Sequence, residues 1–224
     1  MNPTIRALAT DYDGTLADRG VIDATTWFAL GRWRASGRAV VLVTGRELPE
    51  LLAICPEIAG FDRVVAENGA VLYRPGDGSE RRLAPPPPDG FVSTLRARGV
   101  GPISVGRAIV ATWQPHAEAV EAVIREQGLD LAVTLNKRAV MVLPSGVDKA
   151  SGLAVALAEL GLTPGEAAGV GDAENDLAFL RICGRSVAVA NALPEVKSRV
   201  DVVTQGERGA GVAEWIDAVL SGQG

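Results

Sequence analysis

Short apolar runs that end in polar residues alternate along the chain with longer amphipathic segments. The runs predict β-strands at residues 5–10, 39–43, 64–66, 167–170, 186–189 and 201–204. Apolar positions at helical spacing predict helices at residues 24–36, 149–160, 175–182 and 211–220. Continuous apolar strands separated by helices are typical of a parallel sheet that helices cover. We therefore predict an α/β fold with a doubly wound parallel-sheet core.

The middle of the chain departs from this alternation. A turn-rich stretch at residues 75–78 and four consecutive prolines at residues 85–88 mark a boundary. Beyond them the pattern predicts an αβαββ unit, with helices at 90–98 and 117–127 and strands at 103–113, 131–135 and 139–143. The two helices can cover one face of the small sheet, and its other face can close over a crevice as a lid. We predict a core of residues 1–82 and 148–224 and an inserted, smaller α+β cap of residues 83–147.

Composition and charge exclude several classes of partner. The net charge of -5 provides no clustered positive field for nucleic acid or for an anionic membrane. No stretch approaches the ~18 apolar residues of a membrane span, and residues 1–9 lack the pattern of a signal peptide. Cys55 and Cys183 lie too far apart in sequence to suggest a metal-ligand pair. We expect a cytoplasmic monomer or homodimer that acts on a small soluble molecule.

Candidate chemistry lies where the predicted core strands end. In open α/β sheets the ligand sits outside the carboxyl ends of the strands, where Asp11, Thr44 and Asp172 fall. Asp13 follows Asp11 by two residues, so that one carboxylate can attack phosphorus while the other handles the leaving-group proton. A negative nucleophile and a negative substrate repel each other, and Asp11 and Asp172 can hold a bridging Mg²⁺.

Further polar residues can complete such a site. Lys149 opens a predicted helix directly after the cap, and its ammonium can neutralise the nucleophile and the phosphoryl oxygens. Thr44 and the amide of Gly45 can donate to the same oxygens. Asn175 and Asp176 can orient Lys149 and the water molecules on the metal.

These residues resemble the signature motifs of a known superfamily. The segments at residues 11–16 (Asp-Tyr-Asp-Gly-Thr-Leu), 44–46 (Thr-Gly-Arg) and 171–176 (Gly-Asp-Ala-Glu-Asn-Asp), together with Lys149, are similar in order and spacing to the four motifs of the haloacid dehalogenase (HAD) superfamily. The inserted cap, the Glu-Asn-Gly-Ala turn at residues 67–70 and the stretch at 191–197 resemble the Cof-type branch with a C2B cap. That branch contains sugar-phosphate phosphatases, sucrose-phosphate phosphatase and archaeal-type phosphoglycolate phosphatase.

The resemblance implies a mechanism and a site. Asp11 is expected to form a phosphoaspartyl intermediate, with Asp13 as general acid and then base. We place Asp11, Asp13, Asp172 and Asp176 in the Mg²⁺ site. We expect the substrate to contact Thr44, Gly45, Arg46, Asn68, Lys149 and Asn175. The implied reaction is hydrolysis of a small phosphomonoester, either phosphoglycolate or a sugar phosphate.

Several alternatives stay open from the sequence. A phosphomutase of the phosphomannomutase type would share the nucleophile and the cap, whereas a phosphoaccepting signalling domain would lack the acid at Asp13. Arg46 either contacts substrate or forms an ion pair across to the cap, and Asn68 either faces the crevice or only shapes a turn. The amphipathic or strand spacing of Trp27, Trp33 and Trp113 predicts that they pack in the core.

Overall fold

A computed structural model describes residues 4–222 of the chain. Residues 1–3 and 223–224, which belong to the predicted core ranges, lie outside the described residues. Within residues 4–222 the strands form an eight-stranded sheet and a four-stranded sheet. In the same range every helix is too short or too polar to span a membrane.

The large sheet carries the apolar runs of the core. Its strands are β1 (Ala7–Thr10), β2 (Ala39–Val43), β3 (Arg63–Ala66), β4 (Val71–Arg74), β5 (Ser79–Arg82), β10 (Ala167–Gly171), β11 (Arg185–Ala188) and β12 (Val202–Val203). The spatial order is β12-β11-β10-β1-β2-β3-β4-β5, parallel from β12 to β3 and antiparallel at β4 and β5. Because β10, β1 and β2 are neighbours, the residues that follow them emerge side by side at one edge of the sheet.

The small sheet lies within the predicted insert. Its strands are β6 (Ser104–Val105), β7 (Val110–Trp113), β8 (Leu131–Asn136) and β9 (Ala139–Pro144), in the antiparallel order β6-β7-β9-β8.

Helices cover both sheets. They are α1 (Ala24–Ala35), α2 (Leu48–Ile54), α3 (Phe91–Ala97), α4 (Ala117–Glu126), α5 (Lys149–Glu159), α6 (Leu177–Leu180), α7 (Pro194–Lys197) and α8 (Arg208–Leu220). In the core, α5 contacts β2, β3 and β4. Helices α1 and α8 pack together, with the rings of Trp33 and Trp215 centred 5.5 Å apart.

The two faces of the small sheet have different surroundings, because successive side chains along each strand point to opposite faces. Val110, Val140 and Val142 pack against α3 and α4 in a buried apolar cluster. Ala111 and Met141 are paired across β7 and β9 and line a cavity above the carboxyl edge of the large sheet. The predicted arrangement of two helices on one face and a crevice under the other is therefore confirmed.

The prediction of a single strand at residues 103–113 is wrong, because this segment forms two strands. β6 and β7 are separated by a turn at residues 106–109, called the cap turn below. Its amides bind a carboxylate from the core, a tertiary contact that apolar spacing cannot reveal. The insert therefore has the order αββαββ instead of αβαββ.

Two other predictions need correction. The helix predicted at residues 175–182 is a 3₁₀ turn over Glu174–Asp176 followed by the short α6, because the side chain of Asp176 binds backbone amides that precede it. Trp33 is buried as predicted, but Trp113 is 54% exposed and borders the cavity instead of packing in a core.

Candidate active site

Asp11 and Lys149 meet at the carboxyl edge of the large sheet. Asp11 directly follows β1, and Lys149 is the first residue of α5, a helix whose start is capped by the side chain of Asp148. The Nζ atom of Lys149 donates to Oδ1 of Asp11 at 2.5 Å and to Oδ1 of Asp176 at 2.6 Å. All three side chains are buried. Oδ2 of Asp11 accepts no hydrogen bond among the described residues, and Asp11 lines the cavity.

Burial and neighbouring charges shift the protonation of this pair. Burial raises the pKa of Asp11; Lys149 opposes the shift, while the carboxylates of Asp176 and Asp172 add to it. Burial by itself would lower the pKa of Lys149, but the two adjoining carboxylates outweigh it and raise that pKa. The two carboxylates therefore favour the protonated form of Lys149, and additional positive charge near Asp11 would favour its ionised form.

Asp176 holds the loop that carries Asp172. Its Oδ2 accepts from the backbone amides of Asp172 at 2.8 Å and Ala173 at 2.9 Å. Its Oδ1 is bound by Lys149, so both oxygens already have donors. This geometry suits a residue that positions Asp172 and Lys149 better than it suits the metal ligand predicted for Asp176.

Asp172 receives donors from the core and from the cap. The hydroxyl of Thr15 donates to its Oδ1 at 3.0 Å, and Nζ of Lys137, from the β8–β9 turn, donates to its Oδ2 at 2.9 Å. Burial and Asp176 raise the pKa of Asp172, while Lys137 and Thr15 oppose that rise. Gly14 makes the close approach possible, because it has a φ of 88° and a Cβ there would lie 2.7 Å from Oδ2 of Asp172.

The carboxylates fit a divalent cation. Asp11, Asp172 and Asp176 each offer an oxygen, and these oxygens lie within 4.8 Å of one another. Several buried carboxylates with few compensating cations are the donor set that hard cations such as Mg²⁺ prefer. Asp11 and Asp172 are the better candidates for ligands. Oδ2 of Asp11 has no donor among the described residues, and Oδ2 of Asp172 is bound only by the half-exposed Lys137 of the insert. Asp176, by contrast, is bound through both oxygens by buried Lys149 and by two backbone amides.

Asp13 is held by Arg46. The guanidinium donates through Nε to Oδ2 at 2.5 Å and through Nη2 to Oδ1 at 2.8 Å, and its Nη1 binds Glu50. Of the two predictions for Arg46, the ion pair is observed, but its partners lie in the core and not in the cap. Both oxygens of Asp13 are thus bound by Arg46, and a leaving group would compete with the guanidinium for one of them.

A cavity of about 620 Å³ lies between the sheet edge and the small sheet. Six of the predicted site residues line it, namely Asp11, Asp13, Thr44, Gly45, Arg46 and Asn175. The other four, Asn68, Lys149, Asp172 and Asp176, lie behind this lining. Asn68 is fully buried, with a φ of 53°, and its Oδ1 accepts from Asn175 at 3.1 Å. The structure therefore supports a positioning role for Asn68 in place of the predicted substrate contact.

The haloacid dehalogenase-like hydrolase family matches residues 8–81 and 110–216 of this chain. The chain belongs to this family. The match includes every residue of the predicted HAD site, and it spans both the large sheet and most of the insert.

Similar proteins agree with this assignment. A phosphoglycolate phosphatase of Methanothermobacter thermautotrophicus is 33% identical over 222 residues, which cover 95% of this chain and 97% of the relative. A phosphoglycolate phosphatase of Halorubrum lacusprofundi is 34% identical over 206 residues, covering 88% and 89%. The crystal structure of a haloacid dehalogenase-like hydrolase from Bacteroides thetaiotaomicron has the same fold, with a TM-score of 0.82, 21% identity and coverage of 96% and 100%. This HAD protein is a phosphatase that acts on phosphomonoesters.

The sequence does not reveal two residues of this site, Lys137 and Thr15, or the role of a third, Glu67. Lys137 reaches Asp172 from a β-turn of the insert, and a lone lysine in a turn has no local signal that separates it from a solvated one. Thr15 lies in the motif at residues 11–16, but that motif gives no sign that its hydroxyl binds Asp172. The sequence predicts only a turn at Glu67, whereas its fully buried carboxylate accepts hydrogen bonds from three amides of the cap turn. A buried acid without a basic partner can be recognised only in three dimensions.

Proposed function

We propose that this protein is a Mg²⁺-dependent phosphatase that transfers the phosphoryl group of a small phosphomonoester first to Asp11 and then to water. The observation that carries the proposal is the environment of Asp11. One of its oxygens is bound by buried Lys149, the other accepts no donor among the described residues, and the side chain borders the cavity. These are the features of a carboxylate nucleophile that is oriented and electrostatically supported.

The reaction takes two displacements. In the first, an oxygen of Asp11 attacks phosphorus, the ester P–O bond breaks, and Asp13 gives a proton to the departing alkoxide. In the second, Asp13 takes a proton from water, the resulting nucleophile attacks phosphorus, and inorganic phosphate leaves Asp11. Lys149, the Thr44 hydroxyl and the amide of Gly45 hold the phosphoryl oxygens in both steps.

Asp11, Asp172 and the main-chain oxygen of Asp13 would hold the Mg²⁺. The cation supplies positive charge that reduces the repulsion between the nucleophile and the phosphate. Asp176 keeps the Asp172 loop in place through its bonds to the amides of Asp172 and Ala173.

The insert favours phosphoglycolate over a sugar phosphate. Lys137 and Arg138, at the β8–β9 turn, both line the cavity and bring positive charge to its cap side. Nζ of Lys137 already binds a carboxylate, that of Asp172, at 2.9 Å. With Asp172 engaged in the proposed Mg²⁺ site, Lys137 would be free to bind the carboxylate of a short substrate. Two relatives named phosphoglycolate phosphatase match nearly the whole chain, which agrees with this choice.

Phosphate release from 2-phosphoglycolate tests the reaction. We expect release with Mg²⁺ and none in excess chelator, and we expect Asp11→Asn to remove activity because an amide cannot form the intermediate. Asp217→Asn, on the exposed surface of α8, serves as the matched control and should stay active. Activity that survives Asp11→Asn would exclude the mechanism.

The substrate assignment is tested with Lys137→Met. Loss of a hydrogen bond between two charged groups should lower kcat/KM for 2-phosphoglycolate about tenfold or more. The value for p-nitrophenyl phosphate, which has no second anionic group, should change little. Arg125→Met on the exposed side of α4 is the control. An equal loss for both substrates would reject Lys137 as the residue that recognises the carboxylate.

A further inference from the structure

Glu67 is a buried carboxylate whose partners all belong to the insert. The side chain has no exposed surface, and it forms no ion pair with any basic residue among the described part of the chain. Its Oε1 accepts from the amide of Arg107 at 2.9 Å, and its Oε2 accepts from the amides of Ala108 at 2.9 Å and Ile109 at 3.2 Å. Burying a charge is costly unless hydrogen bonds compensate it, and here the cap turn supplies that compensation.

The cap turn is shaped to receive this carboxylate. A Cβ atom on Gly106 would lie 2.6 Å from Oε2 of Glu67, so only glycine leaves room for the contact. The backbone at Gly106 does not have the positive φ that would itself demand glycine. Space for Glu67 is therefore the reason that the structure offers for glycine at this position.

The turn at residues 67–69 also contacts three parts of the active site. The amide of Glu67 donates to the carbonyl of Arg46, and the amide of Asn68 donates to the carbonyl of Thr44, both at 2.9 Å. The side chain of Asn68 binds Asn175. Gly69 packs so closely on Asp148, which caps the helix of Lys149, that a Cβ would lie 1.8 Å from the Asp148 carbonyl oxygen.

The backbone of this turn is strained. Glu67 and Asn68 have φ values of 51° and 53°, in the left-handed region that non-glycine residues seldom occupy. Such a conformation persists only where surrounding contacts determine it, and it commonly marks a functional position.

We infer that Glu67 is a positioning residue that fixes the insert over the active site. Its carboxylate holds the cap turn, which carries Ile109 into the cavity lining, while its backbone holds the loop of Thr44 and Arg46. Glu67 thus connects the phosphate-binding loop to the cap face of the cavity through a single residue.

Amide hydrogen exchange tests the contact independently of catalysis. Glu67→Gln keeps the shape but turns an NH₂ group toward amide donors. We expect exchange across residues 107–109 to accelerate about ten- to a hundredfold, while peptides from β10 stay unchanged. Gly106→Ala should have the same effect from the cap side without altering the core turn. Glu80→Gln, which removes only the exposed ion pair with the Arg107 side chain, is the matched control.

Kinetics test the positioning role, and this arm rests on the proposed phosphatase function. In both Glu67→Gln and Gly106→Ala we expect KM for 2-phosphoglycolate to rise about tenfold and kcat to change less, because the closed arrangement is less populated. Misfolding would instead lower kcat and the unfolding midpoint.

Unchanged exchange in Glu67→Gln, or faster exchange with unchanged KM, would overturn the inference. A wild-type protein inactive toward every phosphomonoester would refute the proposed function alone, and the exchange rates would then decide the role of Glu67.

Discussion

At the scale of single residues, the charge around Asp11 is unbalanced. Asp11, Asp172 and Asp176 are buried together, and the only buried cation that the described residues place among them is Lys149. Lys137 of the insert is a second cation at this site, and its side chain is half-exposed. Burial raises the pKa of Asp11 and of Asp172, as expected where carboxylates outnumber cations in a poorly solvated site. A divalent cation at these oxygens would restore the balance.

Lys149→Met tests how strongly this balance depends on the lysine. The change leaves Asp11 and Asp176 buried without their cation, and removing one partner of a buried ion pair costs about 3–5 kcal/mol of stability. Urea unfolding in chelator should show that loss, whereas the more exposed Lys197→Met should change little. An unchanged midpoint would mean that the carboxylates take up a proton and do not need Lys149.

Asp13→Ala tests the proton-transfer role. Protonation of a leaving group by a positioned acid contributes about 10²–10⁴-fold to the rate, so turnover of 2-phosphoglycolate should fall by that factor. Steady-state kinetics with Mg²⁺ would measure the change. Asp18→Ala, in the same loop but exposed, should retain turnover. Normal turnover in Asp13→Ala would assign the proton transfer to another group.

Residue positions at strand ends were predictable, whereas contacts between the core and the insert were not. Asp11, Thr44 and Asp172 follow buried apolar runs, and parallel pairing of β10, β1 and β2 brings such positions together. Lys137 and Glu67 meet their partners only after the insert packs on the core, and no local pattern records that packing. Trp113 was misplaced because alternation separates two faces of a strand without saying which face meets a cavity.

At the scale of elements, α5 connects the active site with the edge of the large sheet. Its first residue is Lys149, and its last is Glu159. Oε2 of Glu159 accepts hydrogen bonds from Nε of Arg63 in β3 at 3.0 Å and from Nε of Arg74 in β4 at 2.8 Å. Arg81 of β5 lies 3.6 Å away. These ion pairs fix the carboxyl end of the helix on three strands, and the capping box of Asp148 and Ser151 fixes its start. The position of Lys149 therefore depends on both ends of α5.

The contribution of Glu159 should depend on pH. The hydrogen bond from Arg74 lowers the pKa of Glu159 in spite of partial burial, with Arg63 and Arg81 acting in the same direction. Because the folded-state pKa is below the unfolded value, the contribution is present above the unfolded pKa and is lost as the pH falls through the folded pKa. We expect Glu159→Gln to lose about 1 kcal/mol at pH 7. The difference from wild type should disappear under acid.

Urea unfolding at a series of pH values measures this difference. The control is Glu195→Gln on the short helix α7, which removes an exposed ion pair with Arg199. Its unfolding midpoint should equal that of wild type at every pH. A destabilisation by Glu159→Gln that stays constant into the acid range would show that the side chain acts through packing and not through its charge.

At the scale of the whole molecule, three of the polar contacts between the insert and the core in the described part of the chain lie around the cavity. Glu67 binds the cap turn, Ser104 donates to Glu47, and Lys137 binds Asp172. The third contact uses an oxygen of a proposed metal ligand. Cation binding at the proposed site would therefore compete with the Lys137 contact for Asp172, and we expect the position of the insert to respond to the cation.

Stabilisation by Mg²⁺ measures this competition. A cation that binds only the folded state stabilises it by about 2.7 kcal/mol at a concentration one hundred times its dissociation constant. Thermal unfolding against Mg²⁺ concentration should show this increase for wild type and none for Asp172→Asn, which loses a charged ligand.

Lys137→Met removes the competing ammonium, so the same stabilisation should appear at a lower Mg²⁺ concentration. Asp217→Asn on α8 should respond as wild type does. If Lys137→Met instead required more Mg²⁺, the lysine would support the cation site and would not compete with it.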